Sequence, residues 1–178
     1  MRSLAVLSMI AALSFTAVAQ LPTSRNSIYV EFLGNGVFYS CNYDHRFTES
    51  FGMRVGVGYL PYQGVNVGTF PLTGYYLIGS GSHKIELGLG VCVVLQPEYQ
   101  GFSWMSAPDD QVEGNSVLGT ATLGYRYQPA DGGFVFRAGV TPFFGNFRRD
   151  KSTSYYVSDI ENVFKLQLWG GISFGYAF

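Results

Sequence analysis

Apolar and polar residues alternate with a period of two along most of this chain, and helical periodicity is nearly absent. The segment 164–178 shows the pattern plainly, since every second residue from Phe164 to Phe178 except Gly170 is apolar. Glycine and polar residues fill most of the positions between them. Because side chains point alternately to the two faces of a strand, the pattern predicts antiparallel strands with one apolar and one polar face.

The stretch "FLGNGVFYS" decides how many strands there are. The apolar positions change parity across Asn35-Gly36, and Asn-Gly is a strong signal for a two-residue hairpin. A hairpin there pairs Phe32 with Tyr39 and Glu31 with Ser40, so that apolar residues meet apolar ones and polar residues meet polar ones. The sequence then predicts eight strands, at 27–34, 37–46, 51–60, 65–78, 83–96, 115–128, 133–144 and 164–178.

The connections between these strands differ at the two ends of the sheet. Short turns join one end, whereas the two long loops, 97–114 and 145–163, both fall at the other end. This asymmetry is typical of transmembrane β-barrels. We therefore expect an all-β, eight-stranded antiparallel up-and-down transmembrane barrel. Pro71 and Pro142 lie inside predicted strands and are expected to mark bulges or strand ends.

The composition favours lipid on the outside of this barrel. Charged residues make up only 13% of the chain and aromatic residues 17%, whereas soluble domains carry about 25% charged residues. A secreted, lipocalin-like soluble barrel is the structural rival, because alternation alone does not say which face looks outward. The net charge of −1 gives no support for a nucleic-acid partner.

The first residues have the pattern of a secretory signal peptide. Arg2 is followed by an apolar run from Leu4 and by Ala17 and Ala19 at the spacing that a signal peptidase recognises. We expect a signal peptide at 1–19, cleavage after Ala19, and a barrel domain at 20–178. With the barrel, this places the protein in a bacterial outer membrane.

The interior of an eight-stranded barrel is just wide enough to be filled by side chains. Charged residues predicted to point inward must form ion pairs, since a buried unpaired charge is costly. The predicted network consists of Glu31, Arg54, Glu86, Arg126, Arg137 and Lys165. Basic residues outnumber acidic ones in this set, so water or an anion is expected to complete it.

The residues that often carry chemistry are few and scattered. His45 and His83 are both predicted at the periplasmic rim, away from the outer leaflet where a lipid-modifying enzyme of this membrane would work. Cys41 and Cys92 fall on opposite faces of strands that are not neighbours, which predicts two free thiols. We expect no catalytic, metal or cofactor site and no enzymatic activity.

The two long loops carry opposite charges. Asp109 and Asp110 follow Trp104 in the first loop, and Arg148 and Arg149 lie in the second. Attraction between them would let the loops pack together and form a binding surface for a ligand, a partner or lipid phosphates. The alternative is that both loops are simply solvated.

The end of the chain resembles the assembly signal of bacterial outer-membrane barrels, with Phe174, Tyr176 and Phe178 at alternate positions. "NYDHRF", "RVGVGYLP", "HKIELGLG", "GYRYQPADGGFVFRAGVTPFF" and "WGGISFGYAF" resemble an uncharacterised outer-membrane barrel family of Bacteroidota, similar to small barrels of the OmpX and OmpW kind. The resemblance implies contact with outer-membrane lipids and with the barrel-assembly machinery. It implies no activity and no catalytic residues.

The sequence thus predicts a monomeric outer-membrane barrel with a structural or surface-interaction role through its long loops. A narrow, porin-like conduit for small or apolar molecules is the alternative. A soluble ligand-binding barrel and a lipid-modifying enzyme fit the sequence less well.

Overall fold

The computed structural model of the protein describes residues 24–62, 65–95, 102–104, 107–112, 116–150 and 160–178. The predicted signal peptide, 1–19, and its cleavage site lie outside the described residues. Among the described residues, no helix is long and apolar enough to cross a membrane.

Strands make up most of the described chain. They are β1 (Asn26–Leu33), β2 (Tyr39–Arg46), β3 (Phe51–Tyr62), β4 (Val65–Ile78), β5 (His83–Leu95), β6 (Phe102–Trp104), β7 (Ala107–Val112), β8 (Ser116–Tyr127), β9 (Gly133–Asp150) and β10 (Ile160–Ala177). A short 3-10 turn, Gly34–Gly36, separates β1 from β2.

Eight of these strands close into an antiparallel up-and-down barrel, which confirms the predicted fold. Each barrel strand pairs with its neighbour in the order β1, β2, β3, β4, β5, β8, β9 and β10, and β10 pairs back onto β1. β6 and β7 form a separate hairpin that pairs with the end of β9 through Asp110 and Arg149. The barrel therefore has no free edge along its paired length.

The predicted register of the first hairpin is correct, but its predicted tip is wrong. Phe32 pairs with Tyr39 and Glu31 with Ser40. Five residues, 34–38, connect the strands instead of two, and the side chain of Asn35 is buried. The turn folds into the barrel instead of extending beyond it.

The two faces of the barrel wall have opposite chemistry. Outward positions carry large apolar side chains, such as Leu89 and Leu168, which are 67% and 69% exposed. Inward positions carry polar and charged side chains, and Arg126 and Asp44 are both 0% exposed. The large apolar side chains on the outer face and the buried charges inside agree with the orientation that the alternation and the composition together predict, although the interior also holds some apolar side chains.

We call the two ends of the barrel the short-turn rim and the long-loop rim. The short-turn rim contains residues 47–50, 79–82 and 128–132, together with Asn26 and Phe178, whose backbones hydrogen-bond to each other. The long-loop rim is the opposite end of the barrel, where β5 and β9 end and β8 and β10 begin. The predicted loop 145–163 is too long, because β9 continues to Asp150 and β10 begins at Ile160.

Each of the two prolines interrupts the strand pairing on one side only and leaves the register unchanged. The prediction that they mark bulges or strand ends is therefore wrong. β4 runs through Pro71, which pairs with Cys92 of β5, and its pairing with β3 resumes beyond the gap in the same register. β9 runs through Pro142 in the same way, with a gap only on the β8 side. Each proline removes one donor, and the other ladder holds the strand in place.

Candidate functional site

Glu86 lies at the centre of an ion-pair network inside the barrel. Its carboxylate is 2.5 Å from Nη1 of Arg54, 2.6 Å from Nη2 of Arg137 and 3.3 Å from Nη1 of Arg126. The four residues come from β3, β5, β8 and β9, so the network ties together strands that are distant in the sequence. Charge-assisted hydrogen bonds of this kind are stronger than neutral ones.

Asp44 and Glu31 supply the remaining negative charge. Arg126 donates hydrogen bonds to both carboxylate oxygens of Asp44, at 3.0 and 3.1 Å. Arg137 lies 3.5 Å from Glu31. The ion pairs of this network join three guanidinium groups to three carboxylates. Arg46 is a fourth buried guanidinium and donates a hydrogen bond to the carbonyl of Ser24. Basic groups therefore outnumber acidic ones among the buried charged side chains that the structure describes, and the predicted anion or water that completes the set stays a prediction.

Aromatic side chains complete the packing around the arginines. The hydroxyl of Tyr75 donates a hydrogen bond of 2.6 Å to Asp44, and Arg126 lies 4.8 Å from the centre of the Tyr75 ring. Arg137 lies 4.9 Å from the centre of the Tyr29 ring. Stacking on aromatic faces satisfies desolvated guanidinium groups that would be costly to bury alone.

The turn 34–38 lies inside the barrel between the ion-pair network and the long-loop rim. It obstructs the axis of the barrel in addition to the network itself. Nδ2 of Asn35 donates to Thr122 at 3.2 Å, and Oδ1 of Asn35 accepts from Thr120 at 2.8 Å. The carbonyl of Gly36 accepts a hydrogen bond from Thr69. Side chains of β4 and β8 therefore hold the turn inside the barrel, and we call residues 34–38 the inward turn.

Two backbone positions at the inward turn are strained, Leu33 just before it and Val37 within it. Leu33 has a φ of 59° and Val37 a φ of 74°, values that glycine adopts readily and that most L residues rarely adopt. Val37 is β-branched, which makes the conformation still less favourable. Strain of this kind persists only where surrounding contacts fix it, and the hydrogen bonds to Asn35 and Gly36 are such contacts.

An apolar cluster lies against the inward turn. Its buried members are Val37, Val67, Cys92, Val94, Leu118, Phe143 and Trp169. The indole Nε1 of Trp169 donates a hydrogen bond of 2.9 Å to the carbonyl of Val37. The cluster therefore packs on the inward turn and also anchors it to β10.

The space left between these layers is small. A cavity of about 10 Å³ lies between Glu31, Glu86, Arg137 and Ser173, which is room for roughly one water molecule. Oε2 of Glu31 is buried and has no protein partner. A water donating to that oxygen would satisfy it.

The structure brings together most of the predicted network and places the other predicted residues elsewhere. Glu31, Arg54, Glu86, Arg126 and Arg137 meet in the interior. Lys165 pairs by its backbone with Gly145 in the upper part of β9 and β10, and its side chain is outside the described part. Asp44 was missed by sequence reasoning, although it lies four residues after Ser40 and therefore on the same polar face of the predicted strand, which was the signal that could have found it.

For the predicted loop surface, the structure describes the strands and their pairing but not the side chains. Trp104 lies in β6, Asp109 and Asp110 lie in β7, and Arg148 and Arg149 lie in β9. Asp110 pairs with Arg149, so the two segments are adjacent. Phe174 and Tyr176 on β10, and Phe178 directly after it, all have exposed side chains.

The histidines and cysteines lie apart from one another. His45 contacts Asn26, and His83 lies 2.6 Å from the hydroxyl of Tyr125, so both imidazoles are at the short-turn rim. Cys41 is exposed on the outer face, and Cys92 is buried inside, and both are free. Within the described ranges, no group of three or more histidine, cysteine or acidic side chains could hold a metal ion.

A solved structure with a similar fold is the N-terminal β-barrel domain of Pseudomonas aeruginosa OprF. It superposes with a TM-score of 0.57 at 13% sequence identity, over 89% of this chain and 100% of the OprF domain. The shared fold is a closed β-barrel. No protein-family model matches the sequence, and no curated protein matches it. At this identity the likeness to OprF shows the fold alone.

Proposed function

We propose that the protein is a small outer-membrane barrel with a closed interior and a structural or surface-interaction role. The observation that carries this proposal is the continuous apolar belt on the outer face. On β5 the belt runs from Ile85 to Leu95, with outward apolar side chains at alternate positions. Ten steps of about 3.4 Å at a tilt of about 40° give a height of about 26 Å, close to the apolar band of known outer-membrane barrels.

Aromatic side chains at the short-turn rim support the same proposal. Tyr125 contacts Phe136, Tyr127 contacts Phe134, and both phenylalanines contact Phe174. Tyrosine and other aromatic residues are enriched where a barrel meets the membrane interface. We assign this rim to the periplasmic side, as short turns occupy that side in transmembrane barrels.

The interior supports a closed barrel over an open channel. The ion-pair network and the inward turn lie in series along the axis, and both are held by side chains from several strands. A function in surface interaction would then depend on the long-loop rim, where β6, β7 and the ends of β9 and β10 lie. The partner would be a surface ligand of unassigned chemistry or the lipid headgroups around the barrel.

Export and assembly complete the proposal. A leader of 19 residues would be removed after Ala19, and the barrel-assembly machinery would recognise Phe174, Tyr176 and Phe178 on the last strand. The motifs quoted above support a place among the small barrels of Bacteroidota.

Single-channel recording on the purified protein in planar bilayers tests the closed interior. We expect insertion without stable open steps, because the network and the inward turn both obstruct the axis. Flotation with vesicles, together with a heat-sensitive shift in gel mobility, serves as the control for insertion of a folded barrel. Stable, repeated conductance steps from inserted wild-type protein would contradict a closed interior.

A narrow pore is the second candidate function, and the strain at Leu33 and Val37 is the observation that favours it. A strained turn held by a few hydrogen bonds is a suitable gate. In the same recordings, Asn35→Ala removes the contacts to Thr120 and Thr122 and would give more frequent openings than wild type. The matched control is Asn66→Ala, whose side chain accepts an exposed hydrogen bond from Tyr59.

A further inference from the structure

Gly74 leaves a groove in the outer surface of the barrel. It lies in β4, between Met53 of β3 and Leu89 of β5 in the paired register, on the outward face. The groove has a volume of about 300 Å³, which is at the small end of the range for ligand sites. The outward side chains that line it are Phe51, Tyr76, Leu87 and Leu89.

Packing inside the protein does not explain this glycine. A Cβ on Gly90 would lie 2.2 Å from the carbonyl of Leu72, and one on Gly175 would lie 2.1 Å from the carbonyl of Ile28. Those two glycines are needed because another backbone is too close for a side chain. A Cβ on Gly74 would meet nothing nearer than 4.0 Å, so the space in front of Gly74 is empty.

A β-bulge does not explain Gly74 either. Its pairing with Met53 and with Leu89 continues in the same register on both sides, and its backbone is not in the left-handed region. Glycine inside a strand weakens it, and it usually marks a bulge, a sharp bend or the close approach of a ligand or backbone. Of these causes, the close approach of a ligand is the one that remains for Gly74, where neighbouring side chains line the open space.

We propose that this groove binds one acyl chain of a membrane phospholipid. This inference rests on the proposed function, because it requires the outer face to lie in a bilayer. The groove is continuous with the apolar belt, and its outward lining side chains are apolar or aromatic, with the Tyr76 hydroxyl as the polar group among them. An extended hydrocarbon chain fits such a site, since it needs apolar contact and no hydrogen-bonding partners.

The position of the groove along the barrel identifies the membrane leaflet from which the phospholipid comes. Phe51, Tyr76 and Leu87 form one outward row across three strands, between Gly74 and the short-turn rim. Phe51 stacks on Phe47 of the turn below it, at 5.7 Å between ring centres. The bound chain therefore belongs to a phospholipid of the leaflet at the short-turn rim, with its headgroup near residues 47–50.

Gly74→Leu tests the proposal by filling the groove. Gly170→Leu is the matched control, because Gly170 is also an outward glycine within a strand and its Cβ would meet nothing nearer than 3.7 Å. Both variants and wild type are reconstituted in vesicles of phosphatidylethanolamine and phosphatidylglycerol, and extracted in mild detergent. Native mass spectrometry then measures the phospholipid retained per folded barrel.

We expect wild type and Gly170→Leu to retain phospholipid equally, and Gly74→Leu to retain it roughly tenfold more weakly. Equal retention by all three proteins, or an equal loss in both variants, would overturn the groove as a lipid site. Retention of a second barrel in place of lipid at Gly74 would overturn it too. Vesicle flotation separates the two proposals: if wild type does not enter the vesicles, then the membrane location itself is wrong.

Discussion

Replacing Glu86 with glutamine is expected to lower the free energy of unfolding by about 3–5 kcal/mol, the cost of breaking a buried ion pair by removing one partner. The carboxylate of Glu86 accepts hydrogen bonds from Arg54, Arg126 and Arg137. Without its charge these three buried guanidinium groups repel one another, and Asp44 and Glu31 remain as their only carboxylate partners in the described network. The measurement is urea unfolding in lipid vesicles, followed by the gel mobility of the folded barrel.

Asp131→Asn provides the control for Glu86→Gln, because Asp131 is an exposed acid in the short turn between β8 and β9. We expect it to change the unfolding free energy by less than about 0.5 kcal/mol. Adding Arg137→Gln to Glu86→Gln should cost less than the sum of the single changes, since it removes one of the repelling charges. If the two effects were additive, or if the Glu86→Gln barrel were as stable as wild type, then Glu86 and its arginine partners would not act as one coupled network.

Replacing Leu89 with arginine is expected to lower the unfolding free energy by about 2–4 kcal/mol, the cost of a lipid-facing arginine near the middle of the bilayer. Leu89 is 67% exposed and lies near the centre of the apolar belt on β5. A soluble barrel would give the opposite result. There the substitution would exchange a water-exposed leucine for a charge and leave stability within about 0.5 kcal/mol of wild type.

The control is a second arginine placed at the membrane surface, because the cost of a lipid-facing arginine depends on its depth in the bilayer. Ser80→Arg introduces the same side chain in the exposed turn at the short-turn rim, where the cost is about 0–1 kcal/mol. Both variants are compared by urea unfolding from vesicles of the same lipid. If the two arginines had equal effects, the outer face would not lie in a bilayer of the proposed height.

The strand count and register followed from the sequence because they depend on local alternation. Every second residue is apolar from Ile85 to Leu95 in β5 and, except at Gly170, from Phe164 to Tyr176 in β10, and a shift of one position would turn charges to the outside. The same parity argument found the pairing of Phe32 with Tyr39. It gave no clear assignment for β4, because the inward face of that strand carries Tyr75, Leu77 and Val67 as well as threonines.

The inward turn did not follow from the sequence because distant residues decide it. Asn-Gly favours a tight tip when only neighbouring residues count. In the barrel, Thr120, Thr122 and Trp169 supply hydrogen bonds that stabilise a longer, strained turn. None of these contacts can be read from the local pattern, and the network was likewise incomplete until the fold placed Asp44 beside Arg126.

Spin labelling along β5 tests most directly whether apolar side chains face lipid while charges fill the interior. Nitroxides are placed on single cysteines at positions 85, 87, 88, 89 and 91 in a background with Cys41→Ser and Cys92→Ala, and on the native inward Cys92 with Cys41→Ser alone. The protein is reconstituted in vesicles, and its folding is checked by gel mobility. We predict that collisions with membrane-dissolved oxygen are frequent at Ile85, Leu87, Leu89 and Val91 and rare at Gly88 and Cys92. High oxygen accessibility at Gly88 and Cys92 instead, or no difference between the two sets, would contradict the account.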